Sequence, residues 1–399
     1  MGITIILGAG ASRAFTVCPY PLQSEMLEKM LHFAEKPPDR KIKDNFERYL
    51  PKQRLFLTYA IMRALNQTYQ QFELGSIVNN EINRHFEDVT KVIYQNRYSL
   101  DKIFDLLAKQ EVAEYESVTK AHWALTHAIS FFMLQMFSLK DSEEHFDRAH
   151  IILNSLIEEL LQSGQAVNVI DFNYDCLLER LRFEYEGSSK ASFGWDIGRP
   201  RKVLADDFWA DTISELITDG KFREPQDGEN FSLRASLIKP HGDMCTFLMG
   251  KAGIYYRGVR HSQSTSALFP LKLTDITEAD AFLRTSIMPP TESRRRHSSE
   301  FYDNELSRFK TALEKSLIFI IIGWSAKGSD EYYDDIFKKA FQNSNREVNV
   351  YIIDKMDTSE RIKELFCNYC QIKSLQVDGF TGESSSKLRE HLKAEISIS

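Results

Sequence analysis

The residues able to do chemistry gather in four short polar clusters, each directly after an apolar run. Ile3 to Leu7 leads into Gly8-Ala9-Gly10-Ala11-Ser12. Gly8 and Gly10 lack a Cβ, so a pyrophosphate can approach the backbone and meet amides at a helix start. Val167 to Phe172 ends in Asn173-Tyr174-Asp175. A neutral amide such as Asn173 donates and accepts at once, and so can hold a water or a ribose hydroxyl. Asp175 can orient a carboxamide or stabilise developing positive charge. Ser236-Leu237-Ile238-Lys239 ends in Pro240-His241-Gly242-Asp243. An imidazole there can act as a general base near neutral pH, with Asp243 fixing its tautomer or merely capping a helix. Leu317 to Ile322 ends in Gly323-Trp324-Ser325. Each cluster alone has a plainer reading: a tight turn, a strand-end Asn/Asp turn, a core histidine.

Several chemistries lack their motifs. Arg13 stands where the dehydrogenase fingerprint has its third glycine, and no second strand ending in an acidic residue follows at the expected spacing. The phosphate-binding pattern G-x-x-x-x-G-K-[ST] is absent, which removes support for a kinase or ATPase. Cys367 and Cys370 form one C-x-x-C pair near the end of a polar helical stretch. No second pair completes a four-ligand zinc site, so no metal is expected.

The elements that must position these clusters alternate. Strand runs at Ile3–Leu7, 167–172, 236–239, 317–322 and 348–353 are followed by polar residues, and helical patterns cover Glu300–Lys315 and Asp330–Phe341. Strand, polar carboxyl end, then helix is the sequence form of a doubly wound, Rossmann-like parallel sheet, whose ligands bind beyond the strands' carboxyl ends. Between residues 22 and 164 glycine almost vanishes and apolar residues recur at three and four. Ala149, Ile152, Leu153, Leu156, Ile157, Leu160 and Leu161 form one helical face that stops at Gly164, with Asp141 and Glu144 as a candidate cap. The expected organisation is an α/β domain from residues 1–22 and 165–399, with a large helical insertion over 23–164.

Composition sets the outer bounds. The chain has 399 residues, 57 acidic against 50 basic side chains, a net charge of −7, 43% hydrophobic residues and 27 Phe, which supplies a large core and excludes a mainly disordered chain. No apolar run approaches the ~18 residues of a membrane span. Met1-Gly2-Ile3-Thr4 has no basic n-region, and Ile6 breaks the myristoylation pattern. Five scattered cysteines suit a reducing compartment, so a cytoplasmic location is expected. Arg294-Arg295-Arg296-His297 is the sharpest basic run. Without interleaved aromatics it reads as a solvated loop first and a nucleic-acid contact second.

Taken in order, Gly8-Ala9-Gly10-Ala11-Ser12, Asn173-Tyr174-Asp175, His241-Gly242-Asp243 and Gly323-x-Ser325 with Asp330 following resemble the sirtuin (SIR2-like) fold. They are closer to its bacterial anti-phage defence branch than to protein deacetylases, and Met288-Pro289-Pro290-Thr291 also looks like that branch. The resemblance spans roughly residues 1–22 and 165–380. It implies that Gly8, Ala9, Gly10, Ala11 and Ser12 hold the NAD+ pyrophosphate. Asn173 and Asp175 would lie beside the nicotinamide ribose, and His241 would be the catalytic imidazole. Gly323, Ser325 and Asp330 would contact the ribose-phosphate side, and Asp354 the adenosine half. Two departures bear on the reaction. Cys245 stands alone where deacetylases carry a zinc module, and Thr16-Val17-Cys18-Pro19-Tyr20-Pro21 replaces their G-I-P-x-F-R stretch.

The implied activity is NAD+ hydrolysis to nicotinamide and ADP-ribose by an effector of antiviral defence. Nicotinamide leaves as a neutral molecule, so no strong general acid is needed, and the site has no glycosidase-type carboxylate pair. What remains is to stabilise an oxocarbenium-like ribose and present water. A homo-oligomer and a separate HerA-like ATPase or other sensor partner are the implied assembly. The competing readings are a module that senses NAD+ or ADP-ribose without turnover, and an NAD-dependent protein deacylase.

Overall fold

The structure is a computed structural model. It describes residues 2–14, 25–30, 129, 148–175, 178, 193–196, 203–204, 222–223, 232–243, 246–249, 254–257, 283–285, 287–288, 300–326, 331–342, 346–355, 357–377 and 380–396. Most of the expected helical insertion lies outside these residues, as do Asp330, the Arg294–Arg296 run and the Asp141 cap.

The chain opens with strand β1 (Gly2–Leu7) and a short helix α1 (Ala9–Ala14), then α2 (Arg148–Gln162), β2 (Ala166–Asp171), β3 (Gly194–Asp196), β4 (Val203–Leu204), β5 (Phe222–Arg223) and β6 (Arg234–Ile238). Three short strands follow: β7 (Thr246–Met249), β8 (Ile254–Arg257) and β9 (Leu283–Thr285). The last part alternates α3 (Glu300–Lys315), β10 (Ser316–Ile322), α4 (Glu331–Gln342), β11 (Val348–Asp354), α5 (Ser359–Leu365), β12 (Cys370–Gln376) and α6 (Gly382–Ile396). Seven strands form one sheet in the order β12-β11-β10-β1-β2-β6-β3, every pairing parallel. From β1 the sheet grows through β10, β11 and β12 on one side and through β2 and β6 on the other, with β3 outside β6. The direction of winding therefore reverses between β1 and β10. This is the switch point where open α/β sheets bind ligands.

Burial on both faces explains why the central strands are continuous apolar runs rather than alternating ones. On one face Ile3, Ile5, Leu7, Val167, Val169, Ile318, Ile320 and Ile322 pack with Leu153, Leu156 and Ile157 of α2 and Leu388 and Leu392 of α6. On the other, Ile6, Ile170, Phe319, Ile321, Val350 and Ile352 meet Phe309 and Leu313 of α3, Phe337 and Phe341 of α4, and Ile362 and Leu365 of α5. The result is a three-layer α/β sandwich with a Rossmann-like sheet. Helix α2 lies within the 23–164 stretch expected as a helical insertion. Its apolar stripe is covered by the sheet and α6, so it belongs to the α/β layers, and Gly164 (φ +78°) ends it as expected.

Two sheet strands carry no strong sequence signal. β12 is an edge strand with mostly exposed or half-buried residues, and Cys370, expected near a helix end, opens it. β3 is three residues long. Cys367 lies in the left-handed turn after α5 (φ +51°), followed by Asn368 (φ +64°).

Candidate functional site

Register brings the polar clusters level. Leu7 pairs with both Ile322 and Asp171, Ile322 pairs with Ile353, and Ile170 pairs with Ile238. Gly8, Gly323, Phe172, Asp354 and Lys239 therefore leave the sheet at nearly one height. The four clusters follow β10, β1, β2 and β6, which are consecutive neighbours in the sheet. The fold thus collects on one edge, across the switch point, residues that lie hundreds of positions apart in the chain.

The glycine turn is locked to its neighbour. Gly8 N–H donates to the Ile322 carbonyl at 3.1 Å, Gly10 N–H to the Gly323 carbonyl at 2.9 Å, and Ala11 N–H to the Gly8 carbonyl at 2.9 Å. A Cβ on Gly10 would lie 2.9 Å from the Gly323 backbone, and one on Gly8 would lie 2.6 Å from the Gly323 oxygen and the Trp324 Cα. Gly323 has φ +59°, and its Cβ would sit 2.2 Å from Ala11 N. The three glycines are thus required by two turns packing backbone against backbone, a reason the sequence did not disclose. The amides of Gly8, Gly10 and Ala11 are already engaged inside the protein. The outer side of the turn carries the exposed Ala9; Ser12 lies one turn further into α1.

Asn173 is fixed by two bonds. Its N–H donates to Asp171 Oδ1 at 3.0 Å, and its Nδ2 donates to the Gly8 carbonyl at 3.0 Å. A carbonyl faces the side-chain nitrogen, which assigns the amide orientation and leaves Oδ1 as the acceptor on the other side. The residue is half-buried, so its acceptor is held by the fold and within reach of a ligand.

His241 follows in a turn closed by Gly242 N–H on the Lys239 carbonyl at 2.9 Å, with Gly242 at φ +67°. Its own carbonyl receives Met288 N–H at 2.8 Å. Tyr333 Oη donates to the Pro240 carbonyl at 2.7 Å, and Tyr174 Oη to the Met288 carbonyl at 3.1 Å. The imidazole is 9% exposed and ringed by Phe172 (centroids 5.0 Å, edge-on), Tyr333 (5.3 Å) and Tyr174 (6.0 Å). Phe172 in turn stacks on Trp324 at 5.2 Å, and Trp324 on Phe337 at 5.3 Å. A band of aromatic faces runs from the histidine to the turn after β10. The rings of this band pack on one another and enclose the imidazole in apolar surroundings.

The remaining expected residues divide. Asp175 is 2% exposed, so it is enclosed in the fold and is not part of an open wall. Asp243 is fully buried as well. Ser325 and Asp354 are half-buried at the same edge. Arg361 reaches back from α5 to the Ala326 carbonyl at 3.0 Å and pairs with Asp334, pinning the turn in which Ala326 takes φ +49°. Glu364, bonded to the same guanidinium at 2.7 Å, raises the Arg361 pKa, burial opposes it and Asp334 adds to it.

Sequence reasoning passed over the charges beneath the site. Asp171 and Lys239 form an ion pair at 3.2 Å with both side chains almost wholly buried. Lys239 N–H donates to Glu305 Oε2 at 2.8 Å, while Glu305 Oε1 meets Arg308 Nη1 at 3.1 Å. Arg308 Nη2 then reaches the Asp196 carbonyl at 2.7 Å and Ser236 Oγ at 2.8 Å. The available signal was a pair of opposite charges, Asp171 and Lys239, each at the end of an apolar run.

No protein-family model matches this chain, and no curated protein matches it significantly. The functional reading therefore rests on the site's own geometry. Among the described residues no group of three His, Cys, Asp or Glu side chains is arranged for a metal ion, and no helix is long and apolar enough to cross a membrane. Cys367 and Cys370 are free thiols, and burial pushes the Cys370 thiol up to about 11, with Lys363 partly opposing.

Proposed function

We propose that this chain is a SIR2-like NAD+ glycohydrolase that cleaves NAD+ to nicotinamide and ADP-ribose. The observation that carries the reading is the tie between the Asn173 carboxamide and the Gly8 carbonyl, next to the switch point. It leaves Oδ1 as a fixed acceptor on a residue whose two chain neighbours, Phe172 and Tyr174, pack on the His241 imidazole. Four further features support it. The sheet reverses where dinucleotides bind in folds of this class. The glycine turn and the Gly323 turn form one continuous floor. Phe172, stacked on Trp324 at 5.2 Å, gives the Asn173 turn a packed apolar wall that excludes water. No carboxylate pair is required, because the leaving group departs neutral.

In this reading Asn173 Oδ1 accepts a hydrogen bond from the attacking water or from a ribose hydroxyl and fixes its direction of approach. His241 takes up the proton that the water releases. The aromatic band keeps bulk water from the reacting centre, so the water that reacts is the one that Asn173 holds. Ser325 and Asp354, half-buried at the same edge, receive the remainder of the dinucleotide in this reading. A role in antiviral defence, with a sensor or ATPase partner holding the enzyme idle, belongs to the same proposal.

The experiment is nicotinamide release from NAD+ without an acylated peptide. Release that stops in Asn173→Ala and His241→Ala supports hydrolysis. Release only with acyl-lysine would favour a deacylase, and NAD+ binding without release a sensor.

A further inference from the structure

We infer that Lys239 and Asp171 form a buried clamp that positions Asn173 for NAD+ cleavage; the inference rests on the proposed reading of the site. Lys239 Nζ is bonded to two points of the chain leaving β2, the Asp171 carboxylate at 3.2 Å and the backbone carbonyl of Asp175. Asp171 uses its other oxygen to accept the Asn173 N–H at 3.0 Å. One ammonium therefore holds both ends of the segment that carries Asn173. The same lysine lies two residues before His241, and its N–H is fixed by Glu305 at 2.8 Å. The asparagine and the histidine come from different strands, and Lys239 is the residue that joins their two loops. With the clamp intact, the Asn173 backbone can hold only a narrow set of orientations. The carboxamide then reaches the Gly8 carbonyl with its nitrogen and presents Oδ1 outward.

The pair's burial argues for a role beyond simple cohesion. Lys239 is 3% exposed and Asp171 1%, and a buried ion pair is a weak source of stability because desolvation offsets attraction. An apolar pair would pack the same space. What an apolar pair cannot do is accept the Asn173 N–H and bridge to the Asp175 carbonyl. Lys239 and Asp171 are thus positioning residues that act through Asn173 and do not touch substrate.

The test compares the full chain with the double variant Asp171→Asn/Lys239→Met. It removes both charges together, while the amide oxygen introduced at position 171 keeps an acceptor for the Asn173 N–H. Asp171→Asn alone serves as a second variant, which leaves the Lys239 ammonium buried without its counter-charge. Two readouts are taken: steady-state nicotinamide release and hydrogen exchange of residues 172–175. Loss of the clamp is expected to lower kcat about 100-fold with KM near the wild-type value, the signature of a misplaced group rather than of lost substrate binding. Exchange of residues 172–175 should quicken while that of β1 and β10 stays unchanged. The single variant, with an unpaired buried charge, should shift both readouts in the same direction by at least as much. Wild-type kcat in the double variant beside an inactive Asn173→Ala would overturn the clamp and leave the NADase reading standing. Unchanged exchange at 172–175 would overturn the clamp whatever the activity. An Asn173→Ala variant as active as wild type would remove the NADase reading, and the exchange readout would still decide whether the clamp exists.

Discussion

Asn173 Nδ2 lies 3.0 Å from the carbonyl oxygen of Gly8, so the loop leaving β2 is hydrogen-bonded to the turn leaving β1 across the sheet's carboxyl edge. The bond has a direction, since only the amide nitrogen can donate to a carbonyl. Asn173→Asp keeps the shape and replaces that donor with a carboxylate oxygen facing the Gly8 carbonyl. We expect nicotinamide release to fall about 100-fold or more in Asn173→Asp and Asn173→Ala alike. Unfolding free energy should drop by only about 1–2 kcal/mol, measured by urea titration.

The packing of the two turns yields a prediction about stability. Gly323→Ala places a Cβ 2.2 Å from Ala11 N at a left-handed φ, and Gly10→Ala places one 2.9 Å from the Gly323 backbone. The close atoms are backbone, which cannot rotate away. Gly323→Ala should cost about 3 kcal/mol or more, and Gly10→Ala less, read as a lowered Tm.

Much of the fold could be read from the sequence, and the reason is burial. The strands at 2–7, 316–322 and 348–354 sit inside the sheet with helices on both faces, so their apolar runs are unbroken. β12 escaped notice because one edge of it faces solvent and its sequence, Cys370 to Gln376, is largely polar. The place of the polar clusters at the sheet's carboxyl edge was legible, and the contacts that hold them there were not. Asn173, His241, Gly8 and Gly323 stand together as their places after strands implied. The reason Gly8 and Gly10 are glycine is a contact with Gly323, more than three hundred residues away. Likewise Asp171, Lys239 and Glu305 satisfy one another only once β2, β6 and α3 are packed, which no local pattern can announce.

The turn after β10 depends on Arg361, which bonds the Ala326 carbonyl and pairs with Asp334. Arg361→Ala should destabilise the protein by about 1–3 kcal/mol. It should also weaken NAD+ binding, because Ser325 lies in the released turn. Urea titration and equilibrium binding check the two effects separately.

Cys370 gives a prediction for pH. Burial pushes its thiol from 9.0 up to about 11. Between these values the unfolded chain has lost the proton and the folded chain still holds it. Raising the pH therefore favours unfolding, and this component of stability is present below pH 9 and lost as pH rises toward 11. Unfolding midpoints of wild type should decline more steeply across that window than those of Cys370→Ala, with parallel behaviour below about pH 8.

The central claim is cleavage of NAD+ at the Asn173 edge of the sheet, and one measurement bears on it most directly. NAD+ and free nicotinamide are quantified in cells expressing the full chain together with its native genomic neighbours, under conditions that trigger the system, for wild type and Asn173→Ala. NAD+ should fall and nicotinamide rise in equal amounts with wild type, and neither should change with Asn173→Ala. NAD+ loss at the same rate in both, or none with wild type, would contradict it.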